Sequence, residues 1–208
     1  MGMACEAGDC PRAGPEGSSW ALPSPWEQGR DLGWARAFAH TISRLVIQPG
    51  RFFRALPWRG SLGLPIAFAA VCFAIGAALV LVGVAWTDLP GSLGPLLLLL
   101  AALPFVGAYR AVSMAALLWV GLGILEGRAR PFGAVLRLSS YALGADLLLP
   151  IAGVGVYVGS VLQVVAMRRG LGVRLWKAVL VAALPLALFH LVVLGALALY
   201  LALSGQRF

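Results

Sequence analysis

The chain has 208 residues, 61% of them hydrophobic and only 12% charged, with a mean hydropathy of +0.90. Soluble domains carry about 25% charged residues, so this composition excludes an ordinary aqueous surface and points to one small membrane domain. The net charge of +8 flanks apolar segments instead of forming a separate basic face, which favours anionic lipid head groups over nucleic acid as the partner.

All but one of the sixteen basic residues are arginine, the exception being Lys177. With abundant Ala, Gly and Leu, this usage points to a bacterial, GC-rich genome. Residues 1–31 are rich in Gly, Pro, Ser and Ala without a sustained period, and read as a disordered cytoplasmic tail. The tail has no apolar signal-peptide core, and Glu6 stands where a myristoylation motif needs Ser or Thr. Its Cys5 and Cys10 have no nearby histidine and fall short of a zinc ligand set, while Cys72, inside an apolar run, reads as a small buried thiol. No metal and no cofactor are expected.

Residues 32–60 form a basic interfacial segment. On a helical wheel over residues 32–47, Trp34, Phe38, Thr41, Ile42 and Leu45 share one face and Arg36, His40, Ser43 and Arg44 the other. That is an amphipathic helix suited to the membrane interface, ended by Pro49 and Gly50. Phe52, Phe53 and Trp58 then lie among Arg51, Arg54 and Arg59, as expected at head-group level. Arg36, Arg44, Arg51, Arg54 and Arg59 are the expected head-group contacts.

Residues 61–204 form an all-α membrane domain with five expected spans, near 64–86, 95–125, 132–149, 151–167 and 178–203. The second block is too long for one upright helix and must tilt, bend, or kink at Pro104. A hairpin inside residues 96–106 lacks polar turn residues. Basic residues set the orientation. Seven precede the first span. Arg128, Arg130 and Arg137 lie at or just after the link between the second and third, and Arg168, Arg169, Arg174 and Lys177 link the fourth and fifth. The opposite side has only Arg207. The N-terminus is therefore expected in the cytoplasm of a bacterial inner membrane, with the C-terminus outside. No internal repeat supports an inverted-repeat transporter plan.

Two charges fall at membrane depth, Arg110 in the second span and Asp146 towards the outer end of the third. Charges there are expensive and are paired or functional. Brought together by an offset of the second helix at Pro104, they form a register-fixing ion pair or a substrate or proton relay, and Arg110 could instead snorkel; a structural role is the favoured reading. His190 lies midway along the fifth span and is placed to hydrogen-bond a neighbouring helix. Gly155 and Gly159 in the fourth span, and Ala70, Ala74 and Ala78 in the first, permit close helix packing or a contact between copies. Neither a nucleophile motif nor a metal-protease motif is present, so an intramembrane enzyme is the least favoured class.

Several stretches share an order and spacing: Pro49-Gly50-Arg51-Phe52-Phe53 before the first span; Pro131-Phe132-Gly133-Ala134-Val135-Leu136-Arg137 followed by Ser140-Tyr141-Ala142; Pro150-Ile151-Ala152-Gly153-Val154-Gly155; and Gly170-Leu171 before a basic stretch and the last span. Over about residues 45–200 this resembles the Yip-domain family, the Ypt/Rab-interacting membrane proteins, in a short bacterial form. Eukaryotic members associate with one another and with prenylated Rab GTPases, and act in early secretory traffic and membrane shaping. The resemblance implies an all-helical fold, this topology, and partners that are membrane proteins, other copies included. It supplies no catalytic residues. Membrane organisation or assembly is thus the expected role, with a small transporter or lipid-translocating protein using Arg110 and Asp146 as the alternative.

Overall fold

The computed structural model of the protein describes residues 24–57, 60–88, 93–127, 130–151 and 154–204. Secondary structure among them is entirely helical. Trp34–Ile47 forms α1 and Pro49–Ala55 α2. Gly63–Asp88 forms α3, Leu93–Glu126 α4, Phe132–Ala142 α5, Val154–Gly170 α6 and Leu175–Ser204 α7. Two of these, over Gly63–Gly83 and Leu97–Glu126, are long and apolar enough to cross a membrane. The second is one continuous helix with Pro104 inside it; its 34 residues extend about 51 Å at 1.5 Å per residue, well beyond a hydrocarbon core of about 30 Å.

The outward faces of the long helices are apolar. Val82 on α3, Leu98, Phe105 and Ile124 on α4, and Leu180 and Leu191 on α7 are all exposed. Polar groups lie inside instead: Arg137, Ser139, Ser140, Asp146 and Gln163 are buried. This reversal suits a hydrocarbon solvent, where polar groups must find partners within the protein.

At the centre is α5, which packs on α3, α4 and α6. The expected span over 132–149 is not a single α-helix. After Ala142 the chain tightens into a 3-10 helix over Leu143–Leu148. Backbone crowds this segment from two sides. A Cβ on Gly76 of α3 would overlap the carbonyl oxygen of Asp146, and one on Gly155 of α6 would lie 2.8 Å from the carbonyl oxygen of Ala145. The slimmer 3-10 form, rising about 2.0 Å per residue, fits between two such helices and lengthens α5 plus its extension to about 28 Å.

The tail boundary at residue 31 is corrected. Residues 24–31 are folded, while 1–23, with Cys5 and Cys10, lie outside the described residues. Ser24 caps a 3-10 turn over Pro25–Gln28. Trp26 inserts between Trp34, Phe38 and Phe68, each ring edge-on at 5.1–6.0 Å. Its indole N–H donates to the carbonyl of Leu64 at 2.7 Å. Its backbone N–H donates to Oγ1 of Thr41 at 2.9 Å, and that hydroxyl in turn donates to the carbonyl of Ala37 at 2.8 Å. Both polar ends of the tryptophan are thereby satisfied in an apolar site.

A second correction concerns α1 and α2. The amphipathic stripe is real, with Ala37, Thr41 and Leu45 buried and Arg36, His40 and Arg44 exposed. The partner of the stripe, however, is the protein's own core: Phe38 stacks on Phe68 at 5.7 Å, and Leu45 lies over Gly144. The helix begins at Trp34 because Gly33 takes a positive φ of 79°, a conformation glycine adopts readily. Pro49 then opens α2 as its first residue, so Pro49–Gly50 ends one helix and starts the next. Phe52 and Phe53 are buried in the core, Phe52 edge-on to Tyr141 at 5.3 Å.

Candidate functional site

Arg110 and Asp146 are brought together: Nη1 of Arg110 donates to Oδ2 of Asp146. The aspartate side chain is 2% exposed and the arginine 25%. The guanidinium also lies over the Phe73 ring, 5.6 Å from its centroid, a cation–π contact that shields its other face. Oδ1 of Asp146 is buried without a hydrogen-bond partner among the described residues, as is Oε1 of Gln163. The pair ties α4 to the 3-10 extension of α5.

A second buried polar cluster had no counterpart in the expectations from sequence. Arg137, counted there among the basic link residues, has a side chain only 3% exposed. Its Nη1 donates to the carbonyl of Pro57 at 3.1 Å and its Nη2 to that of Ser61 at 2.8 Å, with Oε1 of Glu27 3.7 Å from Nη1. The Tyr141 hydroxyl donates to the same carboxylate oxygen at 2.9 Å. With its proton committed there, Tyr141 accepts from the Ser24 hydroxyl. One arginine therefore holds the approach to α3, and the tyrosine one turn later holds the folded end of the tail. The signal was present in the sequence, as an acid in a nominal tail and an arginine one turn inside a span, but nothing in spacing links residues so far apart.

His190 makes the helix-to-helix bond expected of it. Nδ1 faces the carbonyl of Leu186 at 2.8 Å and Nε2 faces the Tyr157 hydroxyl of α6 at 3.1 Å. A neutral ring protonated on Nδ1 satisfies both, the tyrosine donating. Gly155 and Gly159 seat α6 on Ala145 of the 3-10 segment, and Gly107 of α4 lies against Ala70 of α3. These small residues serve contacts within the chain.

The basic links gather at one end. Arg51 and Arg54 of α2 line a groove with Arg169 from the last turn of α6. Nζ of Lys177 donates to the carbonyl of Leu125 at 2.6 Å, closing the C-terminal end of α4. Arg130 pairs with Glu126 at 3.1 Å. Arg36, Arg44, Arg51 and Arg54 are exposed; Arg59, Trp58 and Arg128 lie outside the described residues. Among the described residues no group of His, Cys, Asp and Glu could hold a metal ion. Compared with protein-family models, curated proteins and solved structures, the chain matches none.

Proposed function

We propose that the chain is a five-span, non-enzymatic integral membrane protein of the Yip-domain type that organises membrane or assembles with other membrane proteins. Its basic end faces the cytoplasm of a bacterial inner membrane and its C-terminus lies outside. The observation that carries this is where the inward polar groups go. Arg110 is committed to Asp146, Arg137 to Pro57 and Ser61, Tyr141 to Glu27, and His190 to Tyr157. Each contact joins one segment to another, as a scaffold requires. The two apolar helices of spanning length, the apolar outer faces and the clustered basic links support insertion in this orientation. Family kinship rests on the ordered motifs between Pro49 and Leu171.

Single cysteines tested by impermeant reagents from each side examine the topology. Positions 36 and 174 should label only from the cytoplasm and position 88 only from outside; labelling of 174 from outside sinks the five-span arrangement. Cross-linking in native membranes should then recover a membrane-protein partner or a second copy. A transporter or lipid translocator is the second reading, favoured by Oδ1 of Asp146, which has no partner among the described residues. It requires that Asp146→Asn abolish flux in a folded protein.

A further inference from the structure

Arg51 and Arg54 lie three residues apart on α2, and the fold brings Arg169 to them from the far end of α6. Together with Gln48 and Gly50 they border an open groove of about 500 Å3. Gly50 lets the stem of Arg169 lie close, since a Cβ there would stand 3.7 Å from its Cγ. A second hollow of about 300 Å3 shares Gln48 and Arg51 with the first. It adds Arg44 and an apolar wall that includes Pro25, Phe52 and Leu56. Just beside Gln48, Val46 and Ile47 are each 71% exposed.

Four arginines thus border two adjoining hollows, which share Gln48 and Arg51 and together make one depression. Among the described residues none of them pairs with a carboxylate; Arg51 has only the side-chain oxygen of Gln48, at 3.3 Å. Neighbouring like charges repel, and an anion of more than one charge relieves them together. Guanidinium is the side chain best matched to phosphate, through paired N–H donors. The apolar wall and the exposed Val46 and Ile47 add what a free inorganic anion does not use, a surface for the glycerol and upper acyl region of a lipid. We propose that this depression binds the head group of a phospholipid carrying two negative charges, such as a diphosphatidylglycerol, taken from the cytoplasmic leaflet. The site rests on the membrane topology argued above, and it differs from general attraction to an anionic surface in depending on particular arginines.

The test uses the full chain in phosphatidylcholine nanodiscs, titrated with diphosphatidylglycerol and read by native mass spectrometry of retained lipid. General attraction weakens binding about fivefold for any arginine lost near the surface. A built site instead predicts about tenfold or more for Arg54→Gln and for Arg169→Gln, and less than about twofold for Arg36→Gln, on the exposed face of α1 outside the groove. Arg54→Lys, which keeps the charge and loses the paired donors, should fall between. Equal losses at positions 36, 54 and 169 would overturn the site. Inorganic pyrophosphate is the second probe: protection of the chain from thermal unfolding by pyrophosphate, lost in Arg54→Gln, with no retention of diphosphatidylglycerol, would assign the groove to a soluble anion and overturn the lipid source. Because 54 and 169 are exposed, both glutamine variants should melt as the parent does in phosphatidylcholine alone. A loss of fold in either is met by the lysine variant, whose wild-type affinity would equally overturn the paired-donor site. Topology labelling is independent of all these outcomes, so a chain that spans as proposed but binds without preference fails here only.

Discussion

The ion pair between Arg110 and Asp146 can be broken from either end, and the two breaks should not be equal. Arg110→Leu leaves a carboxylate 2% exposed with neither oxygen partnered among the described residues, where Oδ1 already has none. Stranding a buried charge costs about 3–5 kcal/mol, and a bilayer around the bundle would not reduce it. Asp146→Asn leaves an arginine that is 25% exposed and still lies over Phe73. It can extend away from the core or donate a weaker bond to the amide oxygen, so about 1–3 kcal/mol is expected. The double variant Arg110→Leu with Asp146→Asn leaves only a neutral buried amide, again about 1–3 kcal/mol. The cycle should therefore show a coupling of about 3–5 kcal/mol, because the losses in the aspartate single variant and in the double variant cancel. Reversible unfolding of the full chain in mixed micelles, followed by tryptophan fluorescence, measures all four corners. Additivity within about 0.5 kcal/mol would mean that the two side chains do not act on one another. A larger loss from Asp146→Asn than from Arg110→Leu would refute the argument from unequal burial.

Two further tests use the same unfolding assay. Thr41→Val keeps the shape of the side chain but removes the acceptor of the Trp26 N–H; a loss of about 1–3 kcal/mol is expected for the stranded donor, against about 3–5 kcal/mol for Trp26→Ala. If neither changes stability, the folded end of the tail contributes nothing to the bundle. Gly76→Val should prevent native packing, because even a Cβ overlaps the backbone of Asp146, whereas Gly123→Val, at a position open to at least 4 Å, should melt within about 1 kcal/mol of the parent. Equal tolerance at 76 and 123 would contradict the tight crossing of α3 over the 3-10 segment.

The contrast between what could be read from the sequence and what could not follows the range of the forces involved. Helix α4 was legible because a long apolar run without turn residues has one cheap solution, and α1 because its stripe repeats every three to four residues. What covers that stripe was not legible. An amphipathic helix before a span reads as interfacial by default, and only the placement of Trp26 and Phe68 shows that protein takes the place of lipid. Composition hid the folded end of the tail as well: Pro25-Trp26-Glu27 follows a Gly- and Pro-rich stretch, and three residues packed into the bundle do not alter a window average. The cluster of Arg137, Tyr141 and Glu27 joins positions more than a hundred residues apart, so no local period carries it.

The pair of Arg110 and Asp146 is the instructive case, since the two expected partners do meet but for a reason other than the one expected. A displacement at Pro104 was invoked to bring the two charges level. Counting from their shared link removes the need. Arg110 lies sixteen residues before Glu126, the last residue of α4, about 24 Å at 1.5 Å per residue. Asp146 lies beyond Phe132 by ten α-helical steps and four 3-10 steps, about 23 Å in all. Two antiparallel helices leaving one short link therefore carry both charges to the same depth whatever Pro104 does, because that proline lies beyond Arg110 on the far side of the contact. An all-α reading of residues 132–149 places Asp146 about 2 Å nearer the link; the tightening into 3-10, imposed where Gly76 and Gly155 press on the backbone, makes up that difference. The glycines that let two helices crowd one segment and the charges that hold it in register are thus parts of one arrangement, and a substitution at Gly76, by displacing the backbone of Asp146, should disturb the ion pair with both charged side chains left in place.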